Sequence, residues 1–157
     1  MIKTSKDHSR YDAIKRVQVL IVDTSFSEYK LLKQLVKDLF PGKDRVDIVF
    51  YLNKKKYPEE FEQSIYTTYL CKSDFSLFHR LKNPKLTREV LDKKHDALLV
   101  LGFQLPATLK KLIAQKKVDL KIGAERETLP NFDLSFIMSS DDTGALLKQA
   151  VKYLKTV

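Results

Sequence analysis

The stretch Val17-Gln18-Val19-Leu20-Ile21-Val22 is short, β-branched and almost continuously apolar, the composition of a strand covered on both faces. Ser25 follows with Glu28 three positions on, a capping-box spacing. Leu31, Leu32, Leu35, Val36, Leu39 and Phe40 then fall on one helical stripe, which Pro41-Gly42 closes. A second apolar run, Val46-Asp47-Ile48-Val49-Phe50, comes next. Strand, amphipathic helix, strand is the signature of a right-handed parallel crossover. No other feature restricts the fold as strongly, because a parallel sheet requires helices over both of its faces.

The second half has the same grammar. Asp96 to Leu101 reads as a buried-type strand, and Pro106 stands where the first turn of a helix tolerates proline. Leu109, Leu112 and Ile113 give that helix its apolar face. Leu120-Lys121-Ile122-Gly123 and Leu134-Ser135-Phe136-Ile137-Met138 read as further strands, and a closing helix from about Asp142 carries Leu146, Leu147, Ala150, Val151 and Leu154. Between the halves the spacing predicts a strand near Tyr66–Cys71 and a short helix near Leu86–Leu91. The expected fold is a three-layer, Rossmann-like α/β sandwich with a mostly parallel sheet of about five to six strands. It should occupy residues 17–157 as one domain, behind a basic N-terminal arm over 1–16.

Composition narrows the chemistry. Only four glycines occur, Gly42, Gly102, Gly123 and Gly144, and their separation excludes a glycine-rich phosphate loop. His8, His79 and His95 have no metal-ligand spacing, and the single cysteine, Cys71, cannot form an internal disulfide. No metal, cofactor or catalytic constellation is expected. Asp96 and Asp133 each open an apolar strand, where a carboxylate caps a turn more readily than it serves as a base. The apolar runs are too short for a signal peptide or for the roughly 20 residues of a membrane helix. The expected address is cytoplasmic.

The unusual quantity is the charge, formally +9 from 29 Lys+Arg and 20 Asp+Glu. It divides evenly: residues 1–80 hold 15 basic and 11 acidic residues, and 81–157 hold 14 and 9. The excess therefore decorates a folded surface rather than a tail, and it suits an anionic partner. Its densest points are Lys54, Lys55 and Lys56, then Lys110, Lys111, Lys116 and Lys117. Each cluster can also be simply a solvated face. Residues 50–78 add Phe50, Tyr51, Tyr57, Phe61, Tyr66, Tyr69, Phe75 and Phe78, half of the sixteen aromatics. Interleaved with lysines, they could stack nucleic-acid bases, or they could pack one flank of the sheet.

In an open parallel sheet a ligand lies outside the carboxyl ends of the strands, where the strand order reverses. If the 17–22 and 96–101 strands flank that point, Asp23, Thr24 and Ser25 face Gly102, Phe103 and Gln104 across a crevice. Ser139, Ser140 and Asp141 end the last strand on the same edge. Helix capping accounts for Ser25 with Glu28, and for Ser139 to Asp142, without any ligand.

The run Val19-Leu20-Ile21-Val22-Asp23-Thr24-Ser25, together with His95-Asp96-Ala97-Leu98-Leu99-Val100 and Leu120-Lys121-Ile122-Gly123, resembles the N-terminal half of the lipopolysaccharide heptosyltransferases. Asp74-Phe75-Ser76-Leu77-Phe78 and Phe132-Asp133-Leu134-Ser135-Phe136-Ile137 are similar to segments of a set of small, uncharacterised bacterial α/β proteins. The resemblance implies the Rossmann-like fold. It does not carry the activity across, because Glu28 and Tyr29 stand where those transferases have a Gly-Asp pair with the catalytic base, and the chain stops short of their second, nucleotide-sugar domain. Two main expectations follow: a non-catalytic domain docking on nucleic acid or a ribonucleoprotein through a basic face, or a nucleotide or sugar binder using Asp23, Thr24, Ser25 and Gln104. A scaffold subunit that meets a protein partner is the third.

Overall fold

The computed structural model describes residues 9–56, 58, 66–124 and 132–157. In chain order the elements are α1 (Arg10–Ala13), β1 (Arg16–Val22), α2 (Phe26–Leu39), β2 (Arg45–Leu52), β3 (Thr67–Cys71), α3 (Pro84–Thr87), β4 (Ala97–Leu101), α4 (Ala107–Gln115), β5 (Leu120–Ala124), β6 (Leu134–Phe136) and α5 (Thr143–Thr156). A π-helical turn, Arg88–Asp92, continues α3.

The six strands form one sheet in the order β3-β2-β1-β4-β5-β6, every neighbouring pair parallel. This is the Rossmann-like α/β arrangement. The chain winds outward from β1 to β3, crosses back to β4 and winds outward again. The strand order therefore reverses between β1 and β4, where Val17–Ile21 pair with Ala97–Leu101.

Alternation along β1 separates two cores. Val17, Val19 and Ile21 join Tyr29, Leu32 and Val36 of α2 and Leu146, Leu147, Ala150 and Leu154 of α5 on one face. Leu20 and Val22 join Val90 and Leu109, Leu112 and Ile113 of α4 on the other. The helix ends follow from their caps. Ser25 Oγ accepts the Glu28 amide at 3.2 Å, and Asp142 Oδ1 accepts that of Ala145 at 3.0 Å. Pro106 is the extended residue just before α4 rather than part of its first turn.

The two elements expected between the halves are present, the helix as the Pro84–Thr87 turn and its π-helical continuation. Of the expected basic arm, residues 1–8 lie outside the described residues. The described part is built into the fold: Tyr11 and Ile14 are buried, Tyr11 stacks on Phe40, and the Arg10 amide donates to the Val157 carbonyl at 3.0 Å. No described helix is long and apolar enough to cross a membrane.

Candidate functional site at the carboxyl edge

Because β1 and β4 are parallel neighbours, their following loops, Asp23–Ser25 and Gly102–Pro106, leave the sheet side by side at the switch point. Asp23 holds a left-handed backbone, φ 53°, which a non-glycine residue adopts at a cost. Its amide donates to Tyr51 O at 2.8 Å, and its Oδ1 accepts the Asn53 amide at 3.4 Å, so the β1 and β2 loops are tied together. Thr24 Oγ1 is buried without a hydrogen-bond partner. Gly102 lies so close to β1 that a Cβ there would stand 2.8 Å from Val22 Cβ.

The other expected site residues are distributed differently. Gln104 is exposed at this edge, whereas Phe103 is buried in the α2/α5 core and does not line a crevice. Ser25 is exposed and caps α2. Ser139 and Ser140 are exposed beyond β6, two strands out from β4, in the connection that Asp142 ends by capping α5.

The lysines form two groups at opposite ends of the sheet. Lys54, Lys55 and Lys56 follow β2 at the carboxyl edge and are exposed. Lys72 follows β3 there, and its amide donates to Lys54 O at 2.8 Å, which holds the β2 and β3 loops together. Lys110 and Lys111 lie in the first half of α4, which begins at the same edge, and Lys111 Nζ donates to Phe78 O at 2.9 Å. Arg80 and Lys82 are exposed on the segment between β3 and α3. Lys116 and Lys117 follow the far end of α4, at the amino-terminal edge.

Lys116 corrects the expectation of a solvated face. It is 3% exposed, its Nζ donates to Lys93 O at 2.7 Å and to Val90 O at 3.0 Å, and it lies 3.0 Å from His95 Nδ1. His95 Nδ1 also lies 3.2 Å from Lys93 O, and its Nε2 lies 2.7 Å from Asp47 Oδ2. Arg45 Nε donates to the same carboxylate at 2.9 Å, and Gln18 Nε2 joins at Val90 O, 3.1 Å away. Burial lowers the Lys116 amine to about 8. Burial pushes Asp47 upward, but hydrogen bonds from His95 and Arg45 outweigh it and hold the carboxyl below its ordinary range.

This network joins the starts of β1 and β2 to the π-helical turn, whose carbonyls need donors. The space beside Gln18 and Lys116 is about 10 Å³, room for one water and for no ligand. Its sequence signal was the pair of polar residues, Gln18 and Asp47, inside strands otherwise built for two-sided burial. They stand opposite one another in the sheet register.

Asp96 and Asp133 do not cap local turns; each accepts amides at a neighbouring strand. Asp96 Oδ2 accepts the Lys15 and Arg16 amides at 2.8 and 2.9 Å, and Asp133 Oδ2 accepts that of Lys121 at 2.7 Å. Of the aromatic cluster, Phe50, Tyr51, Tyr69 and Phe75 are buried core, Tyr66 and Phe78 are exposed, and Tyr57 and Phe61 lie outside the described residues. Cys71 is a buried free thiol whose Sγ donates to Lys55 O at 3.2 Å. No group of His, Cys, Asp and Glu suited to a metal occurs among the described residues. A basic concavity of about 580 Å³ at the amino-terminal edge includes Lys43 and Arg45. Lys33 and Lys37 line it as well; Lys43 Nζ donates to Tyr11 O at 2.6 Å, and Arg45 pairs with Asp47 and lies over the Tyr66 ring.

Comparison with known proteins adds a family and one distant fold. The model of a family of unknown function, DUF6913, matches residues 2–157. No curated protein matches the sequence. Among solved structures, the chain is similar to one described as E. coli heptosyltransferase WaaC with ADP, at 16% identity and a TM-score of 0.45. That match covers 87% of this chain and 46% of the transferase, so the chain spans about half the length of that protein.

Proposed function

The chain belongs to DUF6913, a family of unknown function, and we propose that it is a non-catalytic binding domain that docks on an anionic partner through the basic carboxyl edge of its sheet. The observation that carries this reading is topological. Cations from three segments far apart in sequence, Lys54–Lys56, Lys72 with Arg80 and Lys82, and Lys110-Lys111, come to the edge where an open parallel sheet meets its ligands. Lys116, expected on the same surface, is consumed internally. The partner presents a dense array of negative groups, as a nucleic acid or ribonucleoprotein does.

Retention on phosphocellulose over a salt series tests the reading. Binding that uses several of these cations weakens steeply as salt rises, because each contact releases a counterion. Retention that is absent, or indifferent to salt, contradicts it.

A second reading has its own observation. Thr24 Oγ1, buried without a partner beside the strained Asp23, supports a small polar ligand, a nucleotide or sugar, in the β1/β4 crevice. A thermal shift with a nucleotide or nucleotide sugar that is lost in Thr24→Val supports it. No shift across a broad panel excludes it.

A further inference from the structure

Between β3 and α3 the chain forms a short hairpin whose apolar tip neither reading uses. Phe75 and Leu81 pair in an antiparallel bridge, the Ser76 amide donates to Arg80 O at 2.7 Å, and the Lys82 amide donates to Asp74 O at 3.0 Å. At the tip the His79 amide donates to Ser76 O at 3.0 Å, and Ser76 Oγ accepts the amides of Phe78 and Arg80 at 3.3 Å each. His79 has a left-handed φ of 62°, and its Nδ1 stands 2.8 Å from Thr108 Oγ1 of α4. Lys111 clamps the other side through Phe78 O. All of this bonding holds Leu77 and Phe78 outward, 95% and 76% exposed.

Single exposed apolar residues are ordinary, but two adjacent ones on a tip braced against a helix require an explanation. Lys111 reaches the tip at Phe78 O, Arg80 and Lys82 belong to the hairpin, Lys54–Lys56, Lys72 and Lys110 lie on the same edge of the sheet, and the hairpin's one carboxylate, Asp74, is turned inward to the Cys71 amide at 2.8 Å.

We propose that the Leu77-Phe78 tip is a membrane-docking finger, inserted into the interface of an anionic bilayer while the surrounding cations meet the lipid headgroups. This rests on the basic-edge reading and names its partner. Three considerations favour lipid. Leu77 has no π-face for a base to stack on, so the more exposed half of the tip is idle against single-stranded nucleic acid. A two-residue tip with Arg80, Lys82 and Lys111 beside it falls far short of the roughly 800 Å² per partner, with a charge-depleted centre, of a stable protein interface. An apolar point flanked by lysines does match a bilayer, which takes the side chains into its acyl boundary and the cations at its anionic surface.

The chain contains no tryptophan, so Phe78→Trp gives the full-length protein a single fluorescent reporter at the tip. Leu31→Trp, at a position 73% exposed on α2, is the control. With vesicles of phosphatidylcholine and about one-third phosphatidylglycerol, the Phe78→Trp emission shifts to the blue and that of Leu31→Trp does not. Neutral phosphatidylcholine vesicles give neither shift. Leu77→Ser with Phe78→Ser lowers vesicle partitioning at least about tenfold, with the melting temperature of the protein unchanged. Equal partitioning of that variant, or equal shifts at both reporters, overturns the proposal. Phosphocellulose retention or RNA binding with no vesicle binding overturns the lipid assignment and leaves the basic-edge reading standing. Failure of all three removes both.

Discussion

Lys116 Nζ lies 3.0 Å from His95 Nδ1, and through that ring its hydrogen bonding reaches Asp47, a residue of β2, on the far side of the imidazole. A lysine in one of the densest basic runs of the sequence is thereby an internal strut, unavailable to a partner.

The strut makes stability depend on pH. Burial brings the amine from 10.5 to about 8. Between those values the unfolded chain holds a proton that the folded chain has released, so this group's contribution to stability rises with pH from about 8 to 10. Below pH 8 the penalty for a buried charge is fully present. Its ceiling is on the order of 3 kcal/mol. The melting temperature of the parent should therefore gain on that of Lys116→Met as pH rises from 8 to 10. A constant difference across that window contradicts the assignment.

The acid side has the opposite sign. Asp96 is pushed upward by burial and, more strongly, downward by the Arg16 and Lys15 amides, and Asp47 is likewise held low. Their stabilisation is complete above the ordinary carboxylate range and is lost as pH falls through the depressed values. Asp96→Asn keeps an acceptor oxygen but cannot titrate, so its acid unfolding curve should be shallower than the parent's. Asp96→Ala leaves two amides without an acceptor and should cost about 1–3 kcal/mol at neutral pH. Denaturant melts at pH 7 and pH 3 measure both effects.

The backbone at Asp23 separates conformation from carboxylate chemistry. With φ at 53°, Asp23→Ala should cost about 1 kcal/mol, because alanine resists the left-handed region. Asp23→Gly should stay within about 0.5 kcal/mol of the parent, its relief of strain offset by a freer unfolded chain. If the two variants are equally stable, the carboxylate rather than the backbone supports this loop.

Gly102 is required for close approach. A methyl group there meets Val22 Cβ at 2.8 Å and its Cγ2 at 2.9 Å, atoms near the backbone that cannot swing away. Gly102→Ala should destabilise the protein by about 1–3 kcal/mol and displace the β4 loop from the β1 loop. A thermal melt checks the first effect, and amide exchange at Asp23–Ser25 checks the second.

Most of the sheet was legible in the sequence because its signals are local. Val17–Val22 needs no partner to read as a two-sided strand, and Ser25 with Glu28 marks the start of α2. Asp96 and Asp133 do accept backbone amides, but from Lys15, Arg16 and Lys121 on neighbouring strands, partners that no local pattern indicates. Lys116 was not legible. Its burial depends on His95 and Asp47, which lie 21 and 69 positions earlier in the chain, and beside Lys117 it looks like another exposed cation. The hairpin was hidden for a different reason. Its turn contains neither glycine nor proline, and His79 takes the left-handed position because Thr108 and the Ser76 hydroxyl brace it. The crevice residues lay between these cases: the parallel pairing of β1 and β4 brings the expected loops together, but Phe103 turns into the core, and Ser139 and Ser140 follow a strand at the sheet's far edge.

The most direct test of the central claim compares two charge reversals of equal size at different places. Lys55→Glu with Lys56→Glu alters the carboxyl edge, and Lys148→Glu with Lys152→Glu alters exposed positions of α5. Both lower the net charge by the same amount, so any difference reports location. In phosphocellulose elution over a salt gradient, the account predicts that the first variant elutes at much lower salt than the parent, with a shallower salt dependence, while the second elutes close to it. Equal displacement of the two variants would show that net charge alone drives binding, and would contradict a docking edge.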